Sequence, residues 1–168
     1  MAAGPTFTQL GTYTLTSNGN AFDFTSISSA YTDLWLNFKI VPNNAGGAYM
    51  NIRVGSGNTI DTGSNYKNQQ FYLTSSAGAF DFSNTNTIEL VGNQFNTLNA
   101  FQGSVRINGY NTSAYKAIVS DMFTSDNTAR RYFSSWASTA TLNCISVFTN
   151  VNAFGPGSTC SLYGIKAA

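Results

Sequence analysis

The sequence predicts an all-β protein, an antiparallel β-sandwich or jelly roll of about eight to ten strands. Three observations lead there. Short runs in which apolar and polar residues alternate recur along the chain, with Asn, Gly and Pro turns between them. No segment longer than about ten residues carries the 3.6-residue period of an amphipathic helix. Charged residues make up only 9%, and the Asn, Thr, Ser and Gly that replace them favour strands and turns over helix.

Phe7 to Thr16 reads as a first strand, with a bulge or bend at Gly11. Asn18-Gly19 marks a turn, after which Phe22 and Phe24 flank Asp23 in a short alternation that Ile27 follows. Asp33 to Val41 is the clearest strand: Leu34, Leu36, Phe38 and Ile40 share one face, and Trp35, Asn37 and Lys39 share the other. Pro42-Asn43-Asn44 and Gly46-Gly47 end it. Tyr49 to Val54 alternates again, with Met50, Ile52 and Val54 inward and Asn51 and Arg53 outward. Gly55 to Asn68 reads as a long polar loop, Gln70 to Leu73 as a short strand, and Ser75 to Asn86 as a second loop carrying Phe80 and Phe82. Ile88 to Val91 fits a brief strand or a helical turn equally well. From Gly103 the alternation returns, Val105, Ile107 and Gly109 opposing Arg106, Asn108 and Tyr110. Tyr115 to Met122 and Arg130 to Trp136 add two strands. Leu142 to Ile165 closes the chain as an antiparallel hairpin, its two β-rich runs joined through Asn150, Asn152, Gly155, Pro156 and Gly157.

A chain of 168 residues suits one domain, 1–168, preceded by a short arm of about six residues. Eight basic and seven acidic residues give a net charge of +1, so there is no electrostatic footprint for a nucleic acid or an anionic membrane. The N-terminus has no charged n-region with a long apolar run, so no signal peptide is expected, and no stretch approaches the ~20 apolar residues of a membrane span. Near-neutral charge does little to keep free copies apart and suits an assembled protein. Two cysteines are too few for a disulfide framework. Cys144 and Cys160 fall on the two runs of the closing hairpin, where they could meet; for a chain made in a cytoplasm, buried free thiols are expected over a bridge.

Without histidine the usual general base and the commonest metal ligand are missing, and the familiar Ser and Cys triads are excluded. A glycosidase needs only two carboxylates, but Asp61, Asp81, Glu89, Asp121 and Asp126 are scattered, mostly where Asp caps its own turn. Asn58, Asp61 and Asn65, or Asp81, Asn84 and Asn86, offer oxygen ligands without the dense acidic spacing of a calcium loop. Neither a catalytic residue, a metal nor a cofactor is expected. Arg130-Arg131 would point to opposite faces of a strand and so make no basic patch. Aromatic residues, at 14%, are the one feature above background. They suit core and rim packing, a subunit interface, or sugar binding by stacking. Tyr49, Tyr66, Tyr72 and Trp136 are the candidate partner- or glycan-binding residues.

Four pieces of the chain, in order, bear on its kinship. They are Phe24 and Ile27 with Tyr31-Thr32-Asp33-Leu34 and Leu36; Met50-Asn51-Ile52-Arg53; Gly103 to Ile107 with Tyr110; and Phe154 with Gly157-Ser158 and the terminal Leu162-Tyr163-Gly164-Ile165. Together they resemble a family of jelly-roll structural proteins of tailed bacteriophages and span nearly the whole chain. The chain departs from that family near the third strand, where a basic run is reduced to Lys39 and Arg53. The resemblance implies a non-enzymatic virion component, assembled in the bacterial host's cytoplasm and commonly oligomeric. As a short Met-initiated chain without a coiled-coil stem or tail-anchoring domain, it is expected to be a capsid decoration or cement protein. Its partners would be itself, as a trimer, and the major capsid protein or other virion proteins. The alternative is a tail-fibre or tail-tip module that recognises host surface glycan. Within the motifs, Asp33 is expected to tie the turn ahead of its strand, and Gly164 to admit another backbone beside the last strand.

Overall fold

A computed structural model describes residues 6–43, 49–73, 78–91, 100–123, 129–151 and 154–166, without side chains from 72 to 84. Every element in it is a strand: β1 (Phe7–Thr14), β2 (Ala21–Phe24), β3 (Asp33–Ile40), β4 (Met50–Ser56), β5 (Thr59–Ile60), β6 (Tyr66–Leu73), β7 (Gly78–Thr85), β8 (Ile88–Val91), β9 (Phe101–Asn108), β10 (Lys116–Phe123), β11 (Ala129–Trp136), β12 (Cys144–Thr149) and β13 (Thr159–Ile165). Eight form one sheet in the order β1-β13-β3-β9-β10-β11-β6-β7. The smaller sheet runs β2-β12-β4-β5, with β8 beside β5 on the same edge of β4. All the pairings are antiparallel, and the two sheets face each other across one core, so the expected sandwich is the observed architecture.

Period-two patterning explains the core. Leu34, Leu36, Phe38 and Ile40 of β3 are buried, and so are Val105 and Ile107 of β9 and Ile118 and Met122 of β10. From the other sheet come Phe22 and Phe24, Ile145 and Val147, and Ile52 and Val54. Their register places Phe22 beside Val147 and Val147 beside Ile52, and Phe24 beside Ile145 and Ile145 beside Val54, two apolar rows across the small sheet. The bulge expected near Gly11 is present as a register shift between Gln9 and Gly11.

Several expectations are corrected. β12 and β13 are not a hairpin: β12 pairs with β2 and β4, whereas β13 lies between β1 and β3 in the opposite sheet. The segment between them is a crossover, and it carries Cys144 and Cys160 into different sheets, where both are buried free thiols. The polar loop from Gly55 to Asn68 contains β5 and the start of β6, and the loop from Ser75 to Asn86 contains β7. Ile88 to Val91 is a strand, paired with β4. Asp33 ties the turn after β9, accepting from the Gly109 amide and from Arg106, and not the turn ahead of its own strand. At Gly164 the near neighbour is a side chain: an added Cβ would lie 2.5 Å from the Tyr31 ring.

The loop between β2 and β3 is held by the turn after β9. Tyr110 is fully buried and donates its hydroxyl to the Ser28 carbonyl, while Asn111 Nδ2 donates to the carbonyls of Ser29 and Tyr31 at 3.0 and 2.8 Å. The turn is itself closed by Lys116, whose buried Nζ donates to the carbonyls of Thr112 and Ala114, both at 2.6 Å. Burial pushes the Lys116 ammonium below its ordinary pKa.

Candidate functional site

The same alternation that fills the core leaves the outer face of the large sheet uncovered by any element described. Register lines up two rows on it. One runs Gln9, Tyr163, Trp35, Arg106, Val119, Phe133 and Gln69; the next runs Thr12, Ser161, Asn37, Ser104, Asp121, Arg131 and Phe71. Phe7, Phe71, Phe133 and Phe123 are exposed at 50%, 42%, 45% and 61%, an unusual density of bare phenylalanine for one sheet face.

Two aromatic groups stand on this face. On the β1 side, Trp35 meets the Phe7 ring edge-on at 5.5 Å and lies tilted against Tyr163 at 6.2 Å. Toward the opposite edge, Phe71 and Phe133 pack edge-to-face at 5.8 Å. Trp35 and Phe133 lie three strands apart in one row, about 14 Å at the usual strand spacing. Between them lie two ion pairs. Arg131 makes a two-pronged contact with Asp121, at 2.6 and 3.0 Å, and Arg106 reaches Asp33 at 3.1 Å. The Arg131 guanidinium also lies 6.0 Å from the centre of the Phe133 ring. Each of the two arginines thus already meets a carboxylate on this face, at a largely exposed position.

Of the four residues expected to bind a partner or glycan, the three whose side chains are described, Tyr49, Tyr66 and Trp136, are not gathered into a site. Tyr66 is fully buried; its hydroxyl donates toward the carbonyls of Val54 and Asp61, each at 2.8 Å, and accepts from the Val54 amide at 3.2 Å. Trp136 is 3% exposed and donates its indole N–H to Asp61 at 2.7 Å. Neither ring can stack on a ligand, because both are spent on the chain's own interior. Tyr49 is exposed, but it borders the small sheet at the start of β4, away from the broad face. The side chain of Tyr72 lies outside the described residues.

The residues that do face outward, Trp35, Tyr163, Phe133 and Phe71, escape a reading that ranks aromatics by type. Their signal is positional: each has the parity opposite to the buried residues of its own strand. Trp35 shows this already within Asp33 to Val41, but aligning it with Arg106 or Phe133 requires the strand order.

Asp61 is an Asx-turn residue, as the turn-like context predicts. It accepts from the Gly63 amide, from Asn65 Nδ2 and from Trp136 Nε1 at 2.8, 2.9 and 2.7 Å. Burial alone would raise its pKa, but these three donors outweigh that and hold the carboxyl below its ordinary value. A depressed pKa contributes stability that is present above the unfolded pKa and lost as pH falls through the folded one. Asp61→Asn is therefore expected to shrink the fall in melting temperature between pH 7 and pH 3. An undiminished fall in the variant would remove Asp61 from the acid response. Burial raises the thiol pKa of Cys144 and pushes that of Cys160 up to about 12, so neither is an activated nucleophile. Among the described residues no three His, Cys, Asp or Glu side chains gather where they could hold a metal ion, and no helix is long and apolar enough to cross a membrane.

No protein-family model matches the sequence, and no curated protein matches it. Three solved structures bear a distant likeness to it. The CBM2 module of Lactobacillus casei BL23 phage J-1 evolved Dit is 8% identical, with a TM-score of 0.33 over 99% of this chain and 81% of that one. A plant- and prokaryote-conserved protein of Pyrococcus horikoshii is 10% identical, with a TM-score of 0.25 over 100% and 87%. Arcelin-5 of Phaseolus vulgaris, a lectin-like defence protein, is 11% identical, with a TM-score of 0.26 over 96% and 100%. Likenesses this weak carry no argument about function.

Proposed function

We propose that this chain is a non-enzymatic structural protein of a bacteriophage virion, a capsid decoration or cement protein that works through its surfaces. The phage context rests on the sequence motifs. The observation that carries the mode of action is the exposed Phe71–Phe133 pair beside the Arg131–Asp121 ion pair on a wide, regular sheet face. Aromatic residues with Arg at the centre and neutral amides and hydroxyls around them are the composition of a protein interface. Desolvating the two rings would supply affinity, while the held guanidinium would supply register. Such contacts, repeated around a symmetric shell by a trimer, add interface area between capsid subunits and stabilise the shell against internal pressure.

The number of copies per purified particle, by quantitative mass spectrometry, tests this reading. Hundreds of copies, scaling with the major capsid protein, are expected for the wild type, and Phe71→Ser/Phe133→Ser is expected to lower that occupancy at least tenfold. A handful of copies per particle would instead assign the protein to the tail.

A further inference from the structure

On the same face, we infer that the hollow beside Trp35, which meets the Phe71–Phe133 patch at the shared Arg131–Asp121 pair, is a binding subsite for a neutral saccharide. This goes beyond the decoration role and does not depend on it. The hollow is about 460 Å³ and open to solvent, within the ~300–1,000 Å³ of small-molecule sites. Phe7, Trp35 and Val119 line it, with Trp35 and Val119 on the strands either side of β9, while Ser104 and Asn108 of β9 supply a hydroxyl and an amide. Amide and carboxylate groups beside an aromatic ring match a sugar, whose C–H face is apolar and whose rim is a ring of hydroxyl donors and acceptors.

Charge decides against other ligands. Arg106 and Arg131 border the hollow, but each is paired, with Asp33 and with Asp121, so the site has many polar groups and no net charge. A phosphate or an acidic peptide would meet the carboxylates that already partner both guanidinium groups; a neutral polyol meets no such repulsion and can add hydrogen bonds to the unused lone pairs and N–H groups of both pairs. Trp35 is held by Phe7 and Tyr163, so little side-chain freedom remains to be lost on binding.

The chain has two tryptophans, and Trp136 is 3% exposed, so a ligand-induced change in indole fluorescence reports Trp35. Trisaccharides of glucose, galactose and N-acetylglucosamine are the probes, titrated to millimolar concentration. At least one is expected to change the emission saturably, and Asn108→Ala is expected to weaken its binding at least fivefold with an unchanged melting temperature. Trp35→Ala, checked for folding by circular dichroism, is expected to abolish binding measured by calorimetry, while copy number per particle stays at the wild-type value. No saturable change with any probe, binding that survives Trp35→Ala, or sedimentation showing this face covered by a second copy would each overturn the inference. Loss of particle occupancy in the Phe71/Phe133 variant with sugar binding intact would leave both readings standing.

Discussion

Gly55→Ala is expected to lower the melting temperature by about 6–12 °C, from a loss of ~3 kcal/mol or more at ~2–4 °C per kcal/mol for a domain of this size. A Cβ on Gly55 would lie 1.9 Å from the Thr59 carbonyl oxygen and 2.8 Å from the Ile60 Cα, so it strikes backbone that has nowhere to go. β5 is pinned against β4 by a two-residue turn in which Gly57 and Asn58 both have positive φ, 62° and 59°. Asn58 is itself tied on both sides, its amide donating to Asn143 Oδ1 at 3.0 Å and its Oδ1 accepting from the Ser26 amide at 2.8 Å. On the opposite side of β4, Gly55 faces Cys144 of β12, and its carbonyl accepts from the Asn143 amide at 3.0 Å. Relief of the clash would thus break pairing on one edge or the other. Gly57→Ala is the control: no atom lies within 4 Å of the added Cβ, so only left-handed backbone strain remains, ~1 kcal/mol. Thermal melts of the two variants side by side decide the matter. A Gly55→Ala protein no less stable than Gly57→Ala would show that β5 does not pack as described.

How much of the fold is legible in the sequence follows the range of each signal. Alternation is local, and where it is long it identifies strand and face together: Leu34 to Ile40 inward and Trp35 outward. β5, two residues long, and β7, spelled GAFDFSNT with little aliphatic content, offer almost no pattern, and they read as loop. Their strand character comes from neighbours, β4 and β6, that supply the hydrogen-bonding edge. Pairing is less legible still. The stretch from Asn150 to Ser158 is equally long whether it returns beside β12 or crosses to the other sheet, and turn residues suit both. The candidate site suffers most, because it is a row across strands distant in sequence. Tyr66 and Trp136 look like ligand-stacking residues by type, yet their polar atoms serve Val54 and Asp61 inside the fold.

One residue in the crossover does distinguish the two topologies: the only aromatic in a segment rich in turn formers, Phe154. Phe154 is fully buried and stacks on Phe22, ring centres 5.2 Å apart and planes 17° from parallel. Its backbone bonds reciprocally to Gly19, at 2.9 and 3.1 Å, and it also bridges to Pro42. It therefore closes one end of the sandwich, where the β1–β2 link, the chain just past β3 and the β12–β13 crossover meet. Phe154→Ala is expected to cost ~3–5 kcal/mol, the range for removing a buried phenyl ring and leaving a cavity. Phe154→Leu keeps most of the volume and is expected to cost ~1–1.5 kcal/mol. Urea unfolding would show the midpoint falling with an unchanged slope if the native state keeps its compactness. The buried thiols add a second readout, since Cys144 and Cys160 should react with a thiol reagent about tenfold faster for each ~1.4 kcal/mol of stability the alanine variant loses. A loss below ~1 kcal/mol with unchanged thiol reactivity would mean that the crossover lies on the sandwich without plugging it.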